Sequence, residues 1–253
     1  MRSPPIGQAE IEIRIGEHLD ELLELWWAEQ GAAKIRDLDL IAAALPFSID
    51  QTLRVLDLCC GPGDVGRAVQ RRFPKATVDG VDRDPFLTSI RQGVNGRSRA
   101  KGETFVRDLN DLDWQSDLSP PYDAIAIANA LHWFTHQRAR EILADGFGLI
   151  RQGGAIIMVE PTLPECAFRE GFKTWKSTQP ARYSQDNWLR FWSRANQLLG
   201  YDHTKLLGQR GAKRIGEEMS VAGWVGLLSE VGFVSADVLL RDADEVLIGA
   251  IRP

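Results

Sequence analysis

The sequence lacks the features that mark membrane, metal-binding and disulfide-stabilised proteins. No stretch approaches the roughly 18 consecutive apolar residues of a membrane-spanning helix, and the first ten residues hold no apolar run that would serve as a signal peptide. Only three cysteines occur, and the neighbours Cys59 and Cys60 cannot pair without strain. The four histidines show no ligand spacing with the cysteines. We therefore expect a cytoplasmic protein with reduced thiols, no membrane partner and no metal.

The chain also lacks a basic excess. Its 30 Lys and Arg residues are outnumbered by 35 Asp and Glu residues, so the formal net charge is −5 at pH 7. The densest basic run, residues 97–101, is short, and we interpret it as a solvated loop. Because proteins that bind nucleic acids usually carry a basic face or stripe, the composition argues against a nucleic-acid partner.

What the sequence does contain is an alternation of short apolar runs and helical stretches. The apolar runs predict strands at 54–58, 76–82, 103–108, 122–129 and 154–160. A helix capped by Ser220 follows later, and two final runs, 234–240 and 245–251, predict an antiparallel hairpin. Continuous apolar strands alternating with helices indicate a parallel sheet covered on both faces. We predict an α/β, Rossmann-like, doubly wound and mostly parallel sheet with an antiparallel C-terminal hairpin strand and a helical cap.

The same patterns divide the chain into four segments. Residues 1–10 have the composition of a loose tail, and residues 17–31 predict an amphipathic helix that ends at Gly31. Residues 161–215 contain no convincing strand and are rich in Trp, Phe, Arg and Gln. The predicted segments are an N-terminal helical lid (1–48), the core (49–160), a helical cap insertion (161–215) and the C-terminal part of the core (216–253).

The stretch VLDLCCGPGDVG, residues 55–66, predicts a ligand-binding loop. A strand that turns tightly into a helix presents backbone N–H groups at a helix N-terminus, and Gly61 and Gly63 allow a ligand to approach closely. With Gly66 they satisfy the G-x-G-x-x-G pattern of dinucleotide enzymes. However, the carboxylate of Asp57 would repel a pyrophosphate, whereas it would attract a cation. The loop therefore favours a cationic, nucleotide-like cofactor.

Polar side chains end four successive predicted strands. Asp57, Asp82, Asp108 and Asn129 stand at these positions, and ligands of open α/β sheets bind at this edge. Asp82 is placed to accept hydrogen bonds from a ribose diol. The alternative for Asp82 is a helix N-cap, a role that Asp84 can take instead.

At this point the sequence resembles a known family. VLDLCCGPG, VDGVDRDPF, FVRDLNDLDW, YDAIAIANALHWF and GLIRQGGAIIMVEP are similar, in order and spacing, to the motifs of class I S-adenosylmethionine-dependent methyltransferases. The small-molecule group related to the ubiquinone and trans-aconitate methyltransferases is the most similar. The resemblance covers about residues 50–160 and resumes at 220–253. It implies S-adenosyl-L-methionine as the cofactor and a small-molecule acceptor.

The resemblance also assigns roles to residues of the loop and the strand ends. It implies that Asp57 and residues 59–63 face the methionine and ribose, and that Asp82 binds the ribose hydroxyls. It implies that Asp108 and Leu109 contact the adenine edge, while the residue ending the fourth strand lines the methionyl side. The predicted cofactor-binding residues are Asp57, Cys59, Gly61, Gly63, Asp82, Arg83, Asp108, Leu109 and Asn129. One departure is Cys59, which stands where the family usually has glycine but is small enough for a tight loop.

For the acceptor, the strongest candidate is His132, in the loop after the fourth strand. It is predicted to be a general base or an acceptor-binding group, and the alternative is a histidine held by backbone and packing. The predicted acceptor-binding residues are Trp26, Trp133, Tyr183, Trp188 and Trp192. Trp188 and Trp192 share a helical face with Phe191, which forms either an apolar wall over the acceptor or a packing surface.

Several questions stay open at the level of sequence. We expect O-methylation first and N-methylation second, with C-methylation also open. A non-catalytic S-adenosylmethionine-binding protein is one alternative. An NAD(P)-dependent oxidoreductase is another, suggested by the Y-x-x-x-K spacing of Tyr201 and Lys205. The acceptor and the oligomeric state are not specified.

Overall fold

The computed structural model describes residues 6–98, 101–164, 166–178, 185–206, 219–242 and 244–253. Within these ranges one sheet is formed by seven strands: β1 (Arg54–Leu58), β2 (Thr77–Asp82), β3 (Thr104–Val106), β4 (Tyr122–Ala128), β5 (Ile150–Pro161), β6 (Val234–Asp242) and β7 (Glu245–Ile251). No helix in the described ranges is both long and apolar enough to cross a membrane.

The strands follow the order β3-β2-β1-β4-β5-β7-β6 across the sheet. β1 to β5 pair in parallel, and β7 runs antiparallel to both β5 and β6. The strand order reverses between β1 and β4, which is where ligands of such sheets bind, beyond the carboxyl ends of the strands. The predicted fold class is confirmed, including the reversed C-terminal hairpin.

The helices cover both faces of this sheet. Over the described residues they are α1 (Gln8–Gly16), α2 (Leu19–Ala44), α3 (Asp64–Arg72), α4 (Pro85–Arg97), α5 (His136–Leu149), α6 (Cys166–Ser177), α7 (Gln185–Leu199), α8 (His203–Leu206), α9 (Val221–Val231) and a 3₁₀-helix (Leu131–Trp133). As predicted, the Ser220 hydroxyl caps α9 by accepting a hydrogen bond from the Gly223 N–H, and Gly232 ends it at φ 114°.

The N-terminal region differs from the sequence prediction in two ways. A separate helix, α1, begins at Gln8 instead of a loose tail reaching residue 10. The next helix does not end at Gly31 but continues to Ala44. A glycine inside a helix costs about 1 kcal/mol, but the last turns of α2 bury Leu38 and Ile41 in the core beside β1, which outweighs that cost.

A hydrophobic cluster outside the sheet joins α1 and α2 to α4 and α7. Ile11 of α1 and Leu22 of α2 pack with Phe86 of α4 and Phe191 of α7, and all four side chains are fully buried. The helices α1, α2 and α7 therefore pack against α4, which begins directly after the carboxyl end of β2.

Candidate functional site

The loop after β1 has the backbone that close ligand approach requires. Cys59, Gly61 and Gly63 adopt positive φ angles of 55°, 51° and 88°. A Cβ at Gly61 would meet no atom within 4 Å, so the loop faces open space there. Cys59 carries a side chain in a conformation that favours glycine, at the position where the resembling family usually has glycine.

Asp82 lies at the end of β2 and fixes this loop. One carboxylate oxygen, Oδ2, accepts a hydrogen bond from the Gly61 N–H at 2.9 Å, and Oδ1 accepts one from the Asp84 N–H at 2.9 Å. Burial raises the pKa of Asp82 to about 6, with the neighbouring Asp84 adding to the rise. Each carboxylate oxygen has capacity for a further hydrogen bond, so the group can also accept from a diol. Asp84, and not Asp82, caps α4.

Asp57 lies beneath the loop and is only 1% exposed. Its Oδ2 accepts a hydrogen bond from the Gly66 N–H in the first turn of α3, at 3.3 Å. Burial raises the pKa of Asp57 to about 7, although the charge of Arg91 opposes the rise. Asp57 therefore joins the end of β1 to the first turn of α3, and its contact with a ligand stays a prediction.

Arg91 was missed by the sequence analysis. It is 3% exposed and donates to the carbonyl oxygens of Val78, at 2.7 Å, and Glu103, at 3.0 Å. The Arg91 guanidinium lies so close to Gly80 that a Cβ there would be 2.1 Å from Nη1. No signal in the sequence distinguishes this arginine from the other helical arginines, because its role depends on the tertiary approach of α4 to β2.

The segment after β3 is brought beside the end of β2. Asp108 Oδ2 lies 3.8 Å from the guanidinium of Arg83, so these two predicted residues are neighbours at the sheet edge. The Leu109 side chain is 2% exposed and belongs to the core, and its carbonyl oxygen accepts from Arg138 Nε at 2.6 Å. Any contact of Leu109 with an adenine would therefore come from its backbone.

The loop after β4 carries Asn129 and His132. Asn129 adopts a positive φ of 54°, and its N–H donates to the Val159 carbonyl at 2.8 Å. The His132 side chain is 15% exposed, and its Nδ1 is 2.8 Å from Glu160 Oε2. Because an ionised carboxylate only accepts hydrogen bonds, a neutral imidazole in this contact donates from Nδ1 and keeps its lone pair on Nε2.

Glu160 is the most informative residue that the sequence analysis missed. Its side chain is fully buried at the end of β5 and accepts from the backbone N–H groups of Ala130, Leu131 and His132, at 3.0, 2.7 and 3.3 Å. It thus fixes both the 3₁₀-helix and the imidazole ring of His132. The sequence did contain a signal for Glu160, because this residue ends the predicted strand 154–160. The four polar residues that were predicted for the site lie at or beside the ends of the other predicted strands.

The predicted acceptor residues occupy different surroundings. Trp26 donates from Nε1 to Asp64 Oδ2 at 2.6 Å, at the start of α3, and its ring lies 6.2 Å from that of Trp188. Trp133 is 42% exposed, and the centroid of its ring lies 4.9 Å from that of the His132 imidazole. Tyr183 lies outside the described residues.

The α7 face divides between packing and an open recess. Phe191 is fully buried and Trp192 is 7% exposed, so much of the predicted wall is core. A recess of about 720 Å³ is nevertheless lined by Trp188, Leu189, Trp192, Ser193, Asn196, Gln197, Gly200 and Tyr201. Two of the predicted acceptor residues, Trp188 and Trp192, therefore border the same open space.

Titratable side chains elsewhere do not form a metal centre in the part of the chain that is described. No group of three or more His, Cys, Asp or Glu side chains there is arranged to hold an ion. Cys60 forms no disulfide, and burial raises the pKa of its thiol well above its ordinary range.

Comparison with known proteins connects this geometry to a family. Residues 55–154 match the family described as "Methyltransferase domain". Trans-aconitate 2-methyltransferase of Streptomyces avermitilis is 30% identical over 95 residues, which are 38% of this chain and 34% of that protein. Ribosomal RNA small subunit methyltransferase C of Haemophilus influenzae is 25% identical over 136 residues, covering 51% of this chain and 39% of that protein. The chain thus spans well under half of each of these relatives.

A solved structure extends the likeness in fold over nearly the whole chain. The mitomycin 7-O-methyltransferase MmcR superimposes with a TM-score of 0.58 at 16% identity, covering 96% of this chain and 60% of that one. At this identity the likeness concerns the fold alone. The matched family identifies residues 55–154 as a methyltransferase domain, and the strand order and the glycine loop bonded to Asp82 are similar to those of the class I S-adenosylmethionine-dependent methyltransferases.

Proposed function

We propose that this chain is an enzyme that transfers a methyl group from S-adenosylmethionine to an oxygen of a small, partly apolar metabolite. The observation that carries the proposal is the sheet edge, where Asp82 fixes the glycine loop while Asp108 and His132 follow the neighbouring strands. Bound S-adenosylmethionine would supply a methyl group already activated on a sulfonium sulfur. The chain's own task is then to bind, align and exclude water.

The residues present fit this cofactor. The open space over Gly61 accepts a ligand close to the backbone, and the Asp82 carboxylate can accept from the two hydroxyls of a ribose. Asp57 adds a second carboxyl group under the loop, 3.3 Å from the Gly66 N–H. A set of carboxyl groups suits a cationic ligand with a diol, whereas it would repel a pyrophosphate.

For the acceptor we propose that His132 acts as the general base. Glu160 accepts a hydrogen bond from Nδ1–H, so the neutral imidazole presents Nε2 with a free lone pair. A hydroxyl acceptor gives up its proton as its oxygen is methylated, and a positioned imidazole can take that proton. Glu160 also accepts hydrogen bonds from three backbone N–H groups, and this fixed carboxylate holds the His132 ring in one orientation.

We further propose that α1, α2 and α6 to α8 form a lid, corresponding to the predicted segments 1–48 and 161–215. The recess beside Trp188 and Trp192 supports an aromatic wall against which an apolar acceptor packs. Trp26 bonds to Asp64 at the start of α3, so the lid lies against the cofactor loop.

The relatives narrow the acceptor only in part. One is named for trans-aconitate and another for ribosomal RNA. The net charge of −5 disfavours RNA, so we propose a small molecule, with N-methylation as the second choice. We also propose a cytoplasmic location, which the reduced thiol of the buried Cys60 supports.

The test is methyl transfer with label in the cofactor's methyl group. Trans-aconitate, a phenol and an aryl amine are offered in parallel, and label in the acceptor is measured. We expect label on the phenol and its loss in His132→Ala, with the exposed His136→Ala as the matched control. Cofactor binding without transfer to any acceptor class would instead favour a non-catalytic binding protein. Labelled trans-aconitate with normal turnover in His132→Ala would remove the base from the mechanism.

A further inference from the structure

A buried hydrogen bond between a histidine and an aspartate joins the proposed lid to the segment that follows β2. His203 Nε2, on α8, lies 2.8 Å from Asp84 Oδ1, and the two side chains are 2% and 3% exposed. Asp84 is also the N-cap of α4, because its Oδ1 accepts from the Phe86 N–H at 2.8 Å. The histidine therefore bonds to the residue that determines where α4 begins.

Asp84 in turn is hydrogen-bonded to Asp82, the proposed ribose-binding residue. Its backbone N–H donates to Asp82 Oδ1 at 2.9 Å, and the other Asp82 oxygen accepts from Gly61. A continuous path of hydrogen bonds thus runs from His203 through Asp84 to Asp82 and the glycine loop. Moving the Asp84 side chain would move the N–H that orients Asp82.

The other side of His203 meets the recess. The His203 imidazole stacks on the Trp192 ring, with centroids 5.9 Å apart and planes at 22°, and the backbone N–H of His203 donates to Asn196 Oδ1 at 2.8 Å. Trp192 and Asn196 both line the recess of about 720 Å³. His203 consequently lies between the recess and Asp82.

Packing alone does not explain the pair. Asp84 Oδ2 and His203 Nδ1 are buried and have no hydrogen-bond partner among the described residues. Buried polar atoms without partners lower stability, and an apolar pair of similar volume would often be more stable. What the pair adds is a directional bond between α8 and Asp84, which an apolar contact with Phe86 would not supply.

We infer that His203 is a positioning residue that acts through Asp84 to hold Asp82 in its cofactor-binding orientation. The inference rests on the proposed function, since it takes Asp82 to be the ribose-binding group. It also links the two ligands, because the same histidine stacks on Trp192 at the recess. Loss of the histidine should therefore weaken cofactor binding more than it lowers kcat at saturating cofactor.

The experiment measures binding of S-adenosylhomocysteine by calorimetry to a set of variants. His203→Phe fills the space without a donor, His203→Gln keeps an N–H donor, and the exposed His136→Gln is the matched control. We expect His203→Phe to weaken binding about tenfold and His203→Gln by no more than about threefold, as a charge-assisted hydrogen bond is lost or kept. The control should bind as the wild type does.

A double variant separates positioning from general loosening. In the Asp82→Ala background, His203→Phe should have almost no further effect on binding, because the group it positions is gone. Thermal melts confirm folding, and if His203→Phe does not melt cooperatively, His203→Met takes its place with the same expectations.

Each outcome decides between the claims. If the wild type fails to bind S-adenosylhomocysteine, the proposed function fails and the inference with it. If the wild type binds and folded His203→Phe binds equally well, the inference alone is overturned. An equal loss in the wild-type and Asp82→Ala backgrounds would also overturn it, since His203 would then not act through Asp82.

Discussion

At the scale of single residues, the cofactor edge depends on carboxyl groups that are held by backbone N–H donors. Asp82 has two such donors, Gly61 and Asp84, and Asp57 has one, Gly66. Both acids have raised pKa values because burial disfavours the charged carboxylate. Their ionisation, and therefore their chemistry, changes between pH 5 and pH 8.

Asp82→Ala tests the ribose-binding role. We expect binding of S-adenosylhomocysteine to weaken by about 1.5–3 kcal/mol, the usual loss for hydrogen bonds to a charged group. The fold should survive, because Asp82 ends a strand and is not part of a hydrophobic cluster. Calorimetry and a thermal melt measure the two properties, and an unchanged dissociation constant in a folded variant would show that Asp82 only fixes the loop.

The pH dependence of binding gives a second measure of Asp82. Diol hydroxyls donate to the ionised carboxylate, whereas protonation removes part of its capacity to accept. With the Asp82 pKa at about 6, affinity should fall as the pH drops through 6, by up to about tenfold per pH unit. Titrations from pH 8 to pH 5 should show this slope in the wild type and a flat profile in Asp82→Asn. A slope that persists in Asp82→Asn would assign the titration to another group.

Asp57 should make the fold less stable at high pH. Its folded pKa is about 7 against an ordinary 3.8, so the folded state keeps a proton that the unfolded state has lost. The resulting stability is fully present below about pH 4 and is lost as the pH rises through 7. Asp57→Asn should therefore be more stable than the wild type at pH 8, on the order of 2 kcal/mol, and similar to it at pH 4.

Urea unfolding at the two pH values measures this difference. A variant that is less stable than the wild type at pH 8 would show that the ionised carboxylate is favourable beside Arg91. Asp57→Asn should also affect the two forms of the cofactor differently. Loss of the carboxylate charge should weaken binding of the cationic S-adenosylmethionine more than binding of S-adenosylhomocysteine, whose sulfur is uncharged.

His132 is the residue on which the proposed chemistry depends most. His132→Ala should lower kcat by roughly 10²–10⁴ if the imidazole is a general base, and by much less if it only orients the acceptor. In the wild type a base gives an acidic limb in the pH–rate profile, and that limb should disappear in the variant. Normal turnover of His132→Ala across the pH range would make the residue structural and favour a carboxylate acceptor.

At the level of single residues, the sequence could assign a local helix cap but could not find residues whose partners come from distant elements. Asp82 and its neighbour Asp84 could be assigned because one helix cap was needed and Asp84 stood in the right place. Arg91 and His203 could not be found, because their partners are fixed only when α4 and α8 are packed. Glu160 was within reach, since it ends a predicted strand.

At the scale of secondary-structure elements, α7 should separate recognition of the acceptor from recognition of the cofactor. Trp188 is 38% exposed and borders the recess. Trp188→Ala should raise the acceptor KM about 5- to 30-fold, corresponding to about 1–2 kcal/mol of aromatic contact. The dissociation constant for S-adenosylhomocysteine should change by less than about threefold.

Trp175 is the matched control for Trp188, because it is a tryptophan of similar exposure, 48%, on the preceding helix α6 and does not line the recess. Trp175→Ala should leave the acceptor KM unchanged. Equal effects of the two substitutions, or a change confined to cofactor binding, would contradict the aromatic wall over the acceptor.

Element prediction was most accurate in the core. β1 and β4 are buried nearly throughout and agree with the apolar runs that predicted them. The edge strand β3 is shorter than predicted, with three residues that are all half-buried. The sequence also predicted an end of α2 at Gly31, where burial of Leu38 and Ile41 overrides the local preference of glycine.

At the scale of the whole molecule, two hydrogen bonds in the described part of the chain join the proposed lid to the segments that follow β1 and β2. Trp26 bonds to Asp64 after β1, and His203 bonds to Asp84 after β2. Both acids lie at the start of a helix that follows a central strand. The second of these bonds reaches the recess indirectly, because His203 stacks on Trp192, which lines the recess.

The central claim is that this sheet edge binds S-adenosylmethionine, and calorimetric titration tests it most directly. S-adenosylhomocysteine and NADH are titrated in parallel into the wild-type protein at pH 7.5. The account predicts saturable, one-to-one binding of S-adenosylhomocysteine and no binding of NADH, because the Asp57 carboxyl group is bonded to the first turn of α3, where the pyrophosphate of a dinucleotide would bind. Tight binding of NADH with no binding of S-adenosylhomocysteine would contradict it.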